Sequence, residues 1–131
     1  MSKNILRKIP AILVMVAIFI LSALPANDPL LNSFVFSDKI KHFIAYFVLG
    51  ISFCLWIPGN KWNAKPVICG MLVVIICAIF GISDEFHQSF VPGRSGNDLG
   101  DLTADFIGGL TAPFLYLLVL KAAVFGREPK P

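Results

Sequence analysis

The sequence predicts an all-α integral membrane bundle of four transmembrane helices with both termini in the cytoplasm. Three observations predict it. Hydrophobic residues make up 56% of the chain and charged residues only 15%, well outside the soluble range. The apolar residues fall in long blocks without helical or strand periodicity, so each segment is greasy on every side, as lipid-facing helices are. The basic residues alternate sides between blocks, which orients the spans.

The first block runs over 9–24, after Lys3, Arg7 and Lys8. A basic start, an apolar core and the small residues Ala23 and Ala26 also describe a signal peptide. The length of the apolar stretch and Pro25 at the cleavage region favour a retained helix. The second block, 40–57, contains His42 and Tyr46 and stops at the turn signal Pro58-Gly59-Asn60. The third, 66–83, opens on Pro66, which the first helical turn tolerates. The fourth, 102–120, carries Pro113, which is expected to bend it. Each supplies enough residues to cross a ~30 Å hydrocarbon core with help from interfacial neighbours. The whole chain reads as one transmembrane domain, 1–131.

With four spans, Lys3, Arg7, Lys8, Lys61, Lys65, Lys121, Arg127 and Lys130 fall on one side, against Lys39, Lys41 and Arg94 on the other. The richer side is the cytoplasmic one. Acids sort the opposite way: Asp28, Asp38, Asp84, Glu85, Asp98, Asp101 and Asp105 gather at the outer side, and only Glu128 lies inside. Acids hardly set topology, so this segregation calls for another cause. The segment 27–37 reads as a loop or short interfacial helix whose Leu30, Leu31, Phe34 and Phe36 can touch lipid.

A net charge of +3 does not point to nucleic acid, since the basic residues form no stripe and no stacking aromatics accompany them. Cys54, Cys69 and Cys77 all sit inside apolar blocks, as small core residues and not as a disulfide framework or zinc site.

Three helix ends meet at the outer face. Asp38, His42 and Tyr46 follow at intervals of four, which puts them on one stripe descending into the bilayer. At the end of the third span Asp84 shares a face with His87 and Gln88, and Glu85 with Ser89, whereas Glu85 and His87 diverge. Asp98, Asp101 and Asp105 form a third stripe, with Asp105 about one turn, roughly 6 Å, below Asp101. A carboxylate at that depth costs several kcal/mol unless paired or hydrated. Arg94, in the turn Pro92-Gly93-Arg94-Ser95-Gly96, is the expected cationic partner of one of them, and a guanidinium clamps a phosphate equally well. Ala104, Gly108 and Ala112 form a small-residue face that favours close packing within the chain.

Together, Asp38-Lys39-Ile40-Lys41-His42 with Tyr46 and Leu49-Gly50, Asp84-Glu85-Phe86-His87-Gln88, Phe90-Val91-Pro92-Gly93-Arg94, and Asp101 with Gly108 resemble the VanZ-like family of small bacterial membrane proteins. The likeness begins at Phe19, Ser22 and Pro25. Family members often carry asparagine at the position of Asp105. The resemblance implies a multi-pass protein of the bacterial cytoplasmic membrane, with a link to sensitivity toward the lipoglycopeptide teicoplanin.

The expectation is an outward pocket built from Asp38, Lys39, His42, Tyr46, Asp84, Glu85, His87, Gln88, Arg94, Asp101 and Asp105. It would bind membrane lipid, a cell-wall precursor or a lipoglycopeptide. The competing structural reading makes these residues a salt-bridged cap over the bundle. A catalytic reading gives His42 or Glu85 the role of general acid or base on a phosphorylated or acylated lipid, with Arg94 on the phosphate. No cofactor is predicted beyond a divalent metal, for which Asp84, Asp101 and Asp105 are the candidates. A transporter ranks last, because four helices leave little room for alternating access and no inverted repeat is visible.

Overall fold

A computed structural model of the chain describes residues 3–33 and 36–125, with side chains described over 5–33 and 36–120. The expectations placed on Phe34, Arg127, Glu128 and Lys130, and on the side chains of Lys3 and Lys121, lie outside those residues. Among the described residues every element is a helix: α1 (Lys3–Leu6), α2 (Ile9–Ser22), α3 (Pro29–Asn32), α4 (Asp38–Trp56), α5 (Gly59–Ala64), α6 (Pro66–Gln88) and α7 (Leu99–Phe125).

Three of them are long and apolar enough to cross a membrane: α4, α6 and α7 through Leu120. At 1.5 Å per residue they measure about 28, 34 and 33 Å, matching a hydrocarbon core of ~30 Å. The first span differs from expectation. α2 has 14 residues, about 21 Å, and ends at Ser22. Pro25 accounts for this, because the residue before a proline is pushed out of the helical region, so the chain turns at Ala23 and Leu24.

The other boundaries also moved. α6 continues to Gln88, five residues beyond the expected end at Ser83, and α7 starts at Leu99, three before Leu102. Hydropathy falls at Asp84-Glu85-Phe86-His87-Gln88, but the helix persists because Asp84, Glu85 and Gln88 are buried against neighbouring helices. α7 runs unbroken through Pro113.

Local chemistry sets the starts. Asp28 caps α3 by accepting from the Leu30 amide at 2.8 Å, with Pro29 behind it. Pro66 opens α6 where its missing N–H costs nothing. The turn at Pro58 leads into α5, whose buried Trp62 donates its indole N–H to the Cys54 carbonyl at 3.1 Å.

α4 is the centre of the bundle, packing most extensively on α7 and also touching α2 and α6. Small residues permit the approach. A Cβ on Gly50 would lie 2.6 Å from the Ala112 Cβ, and one on Gly108 would lie 2.5 Å from the Phe43 carbonyl oxygen. Gly108 and Ala112 of the small-residue face therefore meet α4 of the same chain, as tight van der Waals contact in lipid requires. Large apolar side chains such as Leu13, Val67, Ile79, Phe114 and Val119 remain exposed around this bundle, the pattern of a surface solvated by lipid. The three cysteines are buried and free.

Candidate functional site

The polar residues collect at one end of the bundle, where α4 and α7 begin and α6 ends. The i, i+4 spacing on α4 sends Asp38 to the rim and buries His42 and Tyr46 below it. On α7, Asp101 and Asp105, four apart, are buried, and Asp98 is half-buried just before the first turn. Asp98 accepts the Gly100 amide at 2.6 Å and closes the start of α7. That bond, reinforced by Lys39, holds the Asp98 carboxyl below the usual carboxylate range.

Two cross-helix contacts tie α4 to α7. Lys39 Nζ sits 3.1 Å from Asp101 Oδ1 and 3.5 Å from Asp98. One turn deeper, His42 Nδ1 lies 2.9 Å from Asp105 Oδ1, while His42 Nε2 stands 4.0 Å from Asp101 Oδ2. α6 adds Glu85, whose Oε2 accepts the Asp98 amide at 3.0 Å, and Asp84, whose Oδ2 accepts from Gln88 at 3.0 Å.

The loop between α6 and α7 is shaped by two glycines. Gly93 has φ of 76°, a left-handed conformation costly for other residues. A Cβ on Gly96 would collide with the Ser89 backbone, so the chain can double back over the end of α6 only with glycine there. Arg94 is carried inward as a result, but it does not pair as expected. Its Nη2 donates to the Leu21 carbonyl of α2 at 3.3 Å, and it meets no carboxylate among the described residues. The carbonyls at the helix end of α2, of which Leu21 also accepts the Leu24 amide, carry the negative end of the helix dipole and attract a cation. The cation beside Asp101 is Lys39.

Ser89, on the face of Glu85, turns its hydroxyl to the Phe86 carbonyl, and the Glu85 side chain reaches the α7 start. Two further expectations are corrected. His87 does not line the crevice and stacks on Phe19 of α2, with ring centroids 4.4 Å apart. Asp84, Asp101 and Asp105 do not share a metal position. The carboxylate and imidazole groups that do converge are Asp38, His42 and Asp101, and His42, Glu85 and Asp105. Asp84 instead bonds Gln88 and lines the crevice with Arg94.

The polar end thus has two compartments. The first is an open crevice. A cavity of about 70 Å³ is bounded by Ser22, Lys41, His42, Tyr46, Asp84 and Arg94, with apolar side chains of α2 beneath. A wider cavity of about 210 Å³ continues toward the rim past Asp38, Lys41, Gln88, Arg94 and Asp101. The second compartment is a buried cluster of His42, Glu85 and Asp105 behind that crevice. His42 belongs to both.

Several buried polar atoms in this region have no hydrogen-bond partner among the described residues: Tyr46 Oη, Asp84 Oδ1, Glu85 Oε1, Arg94 Nε and Asp105 Oδ2. Buried polar groups are nearly always satisfied, so each such orphan marks strain, a catalytic role, or a bound water or ion. Lys41, Ser22 and the Leu21 carbonyl were not among the residues expected at the pocket. Lys41 was legible as the i+3 neighbour of Asp38, and its Nζ lies 3.9 Å from that carboxylate. Ser22 was legible as a polar residue within an apolar block, whereas nothing in the sequence marks a carbonyl.

A family model described as VanZ/LLP1 matches residues 7–120 of the chain. That match spans α2 to the end of the apolar part of α7 and includes every residue of both compartments. No curated protein and no solved structure matches the chain.

Proposed function

We propose, from the premise that this chain belongs to the VanZ/LLP1 family of multi-pass membrane proteins, that its open crevice binds the phosphate-bearing headgroup of an envelope amphiphile. The amphiphile is a membrane lipid or a lipid-linked cell-wall precursor. In this reading the polar end faces outward in the bacterial cytoplasmic membrane, with both termini inside.

One observation carries the proposal: Arg94 is drawn into the crevice with its Nε unpartnered and, among the described residues, no carboxylate paired with its charge. Lys41 stands at the same crevice, giving a second cation. Arg supplies planar paired donors to phosphate, and Lys supplies a point charge. Asp84 Oδ1, Tyr46 Oη and Ser22 offer hydrogen bonds to hydroxyl or amine groups of the same headgroup. Leu21, Ile18 and Leu31 line the crevice on the lipid side, where acyl chains would lie. Occupancy of this kind would alter the envelope surface that lipoglycopeptides of the teicoplanin type encounter, the setting implied by the family resemblance.

The test is twofold. A cysteine in place of Ser95, exposed at the crevice mouth, should react with a membrane-impermeant maleimide on intact cells; labelling only after lysis would reverse the orientation. Arg94→Ala at normal folded yield should shift teicoplanin sensitivity, and unchanged sensitivity would remove the crevice from this account.

A second reading is favoured by one specific contact, the 2.9 Å His42–Asp105 pair at the back wall of the crevice. A carboxylate-oriented imidazole facing a bound phosphate ester is suited to general acid or base work. Glu85 does not line the crevice, so His42 would act and Glu85 would not. Turnover of bacterial lipid extract by wild type, abolished in His42→Gln, would establish that reading; no product from the folded wild type would end it.

A further inference from the structure

We infer that the buried cluster behind the crevice, His42 with Glu85 and Asp105, is a binding site for one divalent cation of the Mn²⁺ class. This site goes beyond headgroup binding and shares only His42 with the crevice.

Charge is the first argument. Asp84, Glu85, Asp101 and Asp105 are all at least nine-tenths buried. Lys39 answers Asp101, Arg94 bonds a carbonyl away from this cluster, and among the described residues only His42 stands beside the carboxylates of Glu85 and Asp105. Buried carboxylates in excess over buried cations are costly in a low-dielectric bundle, and a bound cation removes that cost.

Geometry is the second. His42, Glu85 and Asp105 each present a ligand atom, all within 4.8 Å of one another. Nitrogen and oxygen ligands lie about 2.0–2.2 Å from a first-row divalent ion, so adjacent ligands in an octahedron are roughly 3 Å apart and opposite ones roughly 4 Å. The 2.9 Å separation of His42 Nδ1 and Asp105 Oδ1, a hydrogen bond without an ion, is also the spacing of neighbouring ligands, so an ion bound here would take the place of the shared proton.

The third argument is independent of the cluster's acidity. Glu85 Oε1 and Asp105 Oδ2 belong to side chains only 1% exposed, and neither atom has a hydrogen-bond partner among the described residues. Glu85 is already fixed through its other oxygen by the Asp98 amide, and Asp105 through its other oxygen by His42. Each carboxylate is thus held by one oxygen with the second left over. On the far side of the imidazole, Asp101 stands 4.0 Å from Nε2 and is itself held by Lys39. A carboxylate behind an imidazole is the usual outer partner of a metal-ligating histidine, which fixes its tautomer. One nitrogen with two carboxylates suits Mn²⁺ or a similar ion better than Ca²⁺, which prefers all-oxygen shells. The crevice reaches His42, so entry is from the polar end.

The test uses the full chain, purified in detergent, stripped with chelator and titrated with Mn²⁺ alone under electron paramagnetic resonance. The expected result is one tightly held ion per chain with nitrogen coupling from a single imidazole. His42 and His87 are the two histidines of the sequence. His87→Gln should therefore keep the coupling, and Glu85→Gln and Asp105→Asn should each abolish stoichiometric binding. Arg94→Ala, which disables the crevice, should leave ion binding unchanged, so failure of the headgroup reading and failure of this one are separable. Absence of a bound signal in folded wild type, loss of the coupling in His87→Gln, or full binding in folded Glu85→Gln would each overturn the inference. If the acid variants do not fold, the coupling in wild type and His87→Gln decides alone.

Discussion

The two compartments of the polar end differ in which charge is left over. In the crevice the Arg94 guanidinium faces open volume, anchored among the described residues only by a carbonyl, beside a Lys41 ammonium tied to Asp38 and to the Leu31 carbonyl. In the cluster behind it two carboxylates and one imidazole fill the space between three helices. An unspent cation beside space is arranged to meet an anion, whereas unspent carboxylate oxygens without space are arranged to hold helices together around a small positive charge. One polar patch thus divides into a binding surface and a structural joint. Mutations should separate the two: damage to the cluster should cost stability, and damage to the crevice should cost ligand.

The largest effect is expected at Asp105. Asp105→Ala strands the buried His42 ring and opens the α4–α7 seam, and removing one partner of such a pair costs about 3–5 kcal/mol. The thermal midpoint in detergent should fall steeply; an unchanged midpoint would break the distinction between the compartments. Next comes the packing below them. Gly50→Val drives a branched side chain into Ala112, and overpacking of this kind costs about 1–3 kcal/mol, readable by the same midpoint. Arg94→Ala should move stability by only about 1 kcal/mol, the order of one hydrogen bond, while removing headgroup retention.

The smallest effect concerns the rim. Asp98 has its carboxyl held below the usual range by the Gly100 amide and by Lys39, so it contributes stability above the unfolded-state value near 4 and loses it as pH falls through its lower folded value. Wild type should therefore lose midpoint more steeply than Asp98→Asn on acidification below about pH 4. Parallel curves would show that the cap at α7 does not depend on that charge. High salt should weaken the exposed Lys39–Asp98 contact and leave the buried His42–Asp105 pair alone.

The helical stripes were legible because spacing alone determines them. Asp38, His42 and Tyr46 must share a face of α4, and Asp101 and Asp105 a face of α7, whatever surrounds them. Gly108 and Ala112 were legible for the same reason. Partner choice was not, since it depends on loop paths that spacing does not encode. Arg94 sits close in sequence to the acids of α7, but Gly93 and Gly96 turn it toward α2, and Lys39, 62 residues before Asp101, reaches that carboxylate instead. The end of α6 was misjudged because hydropathy registers Asp84-Glu85-Phe86-His87-Gln88 as a break. The helix continues there because the polar groups find partners inside the bundle. The indole bond of Trp62 and the role of the Leu21 carbonyl left no trace in composition or period. The division of the polar patch into two was hidden for a related reason: it turns on which oxygen of each carboxylate is already used.

The measurement that bears most directly on the crevice is native mass spectrometry of the protein released from bacterial membranes. Wild type and Lys39→Ala, whose charge lies outside the crevice, should retain a phosphate-bearing amphiphile that Arg94→Ala loses. Equal retention by folded wild type and Arg94→Ala, or none by either, would contradict the account.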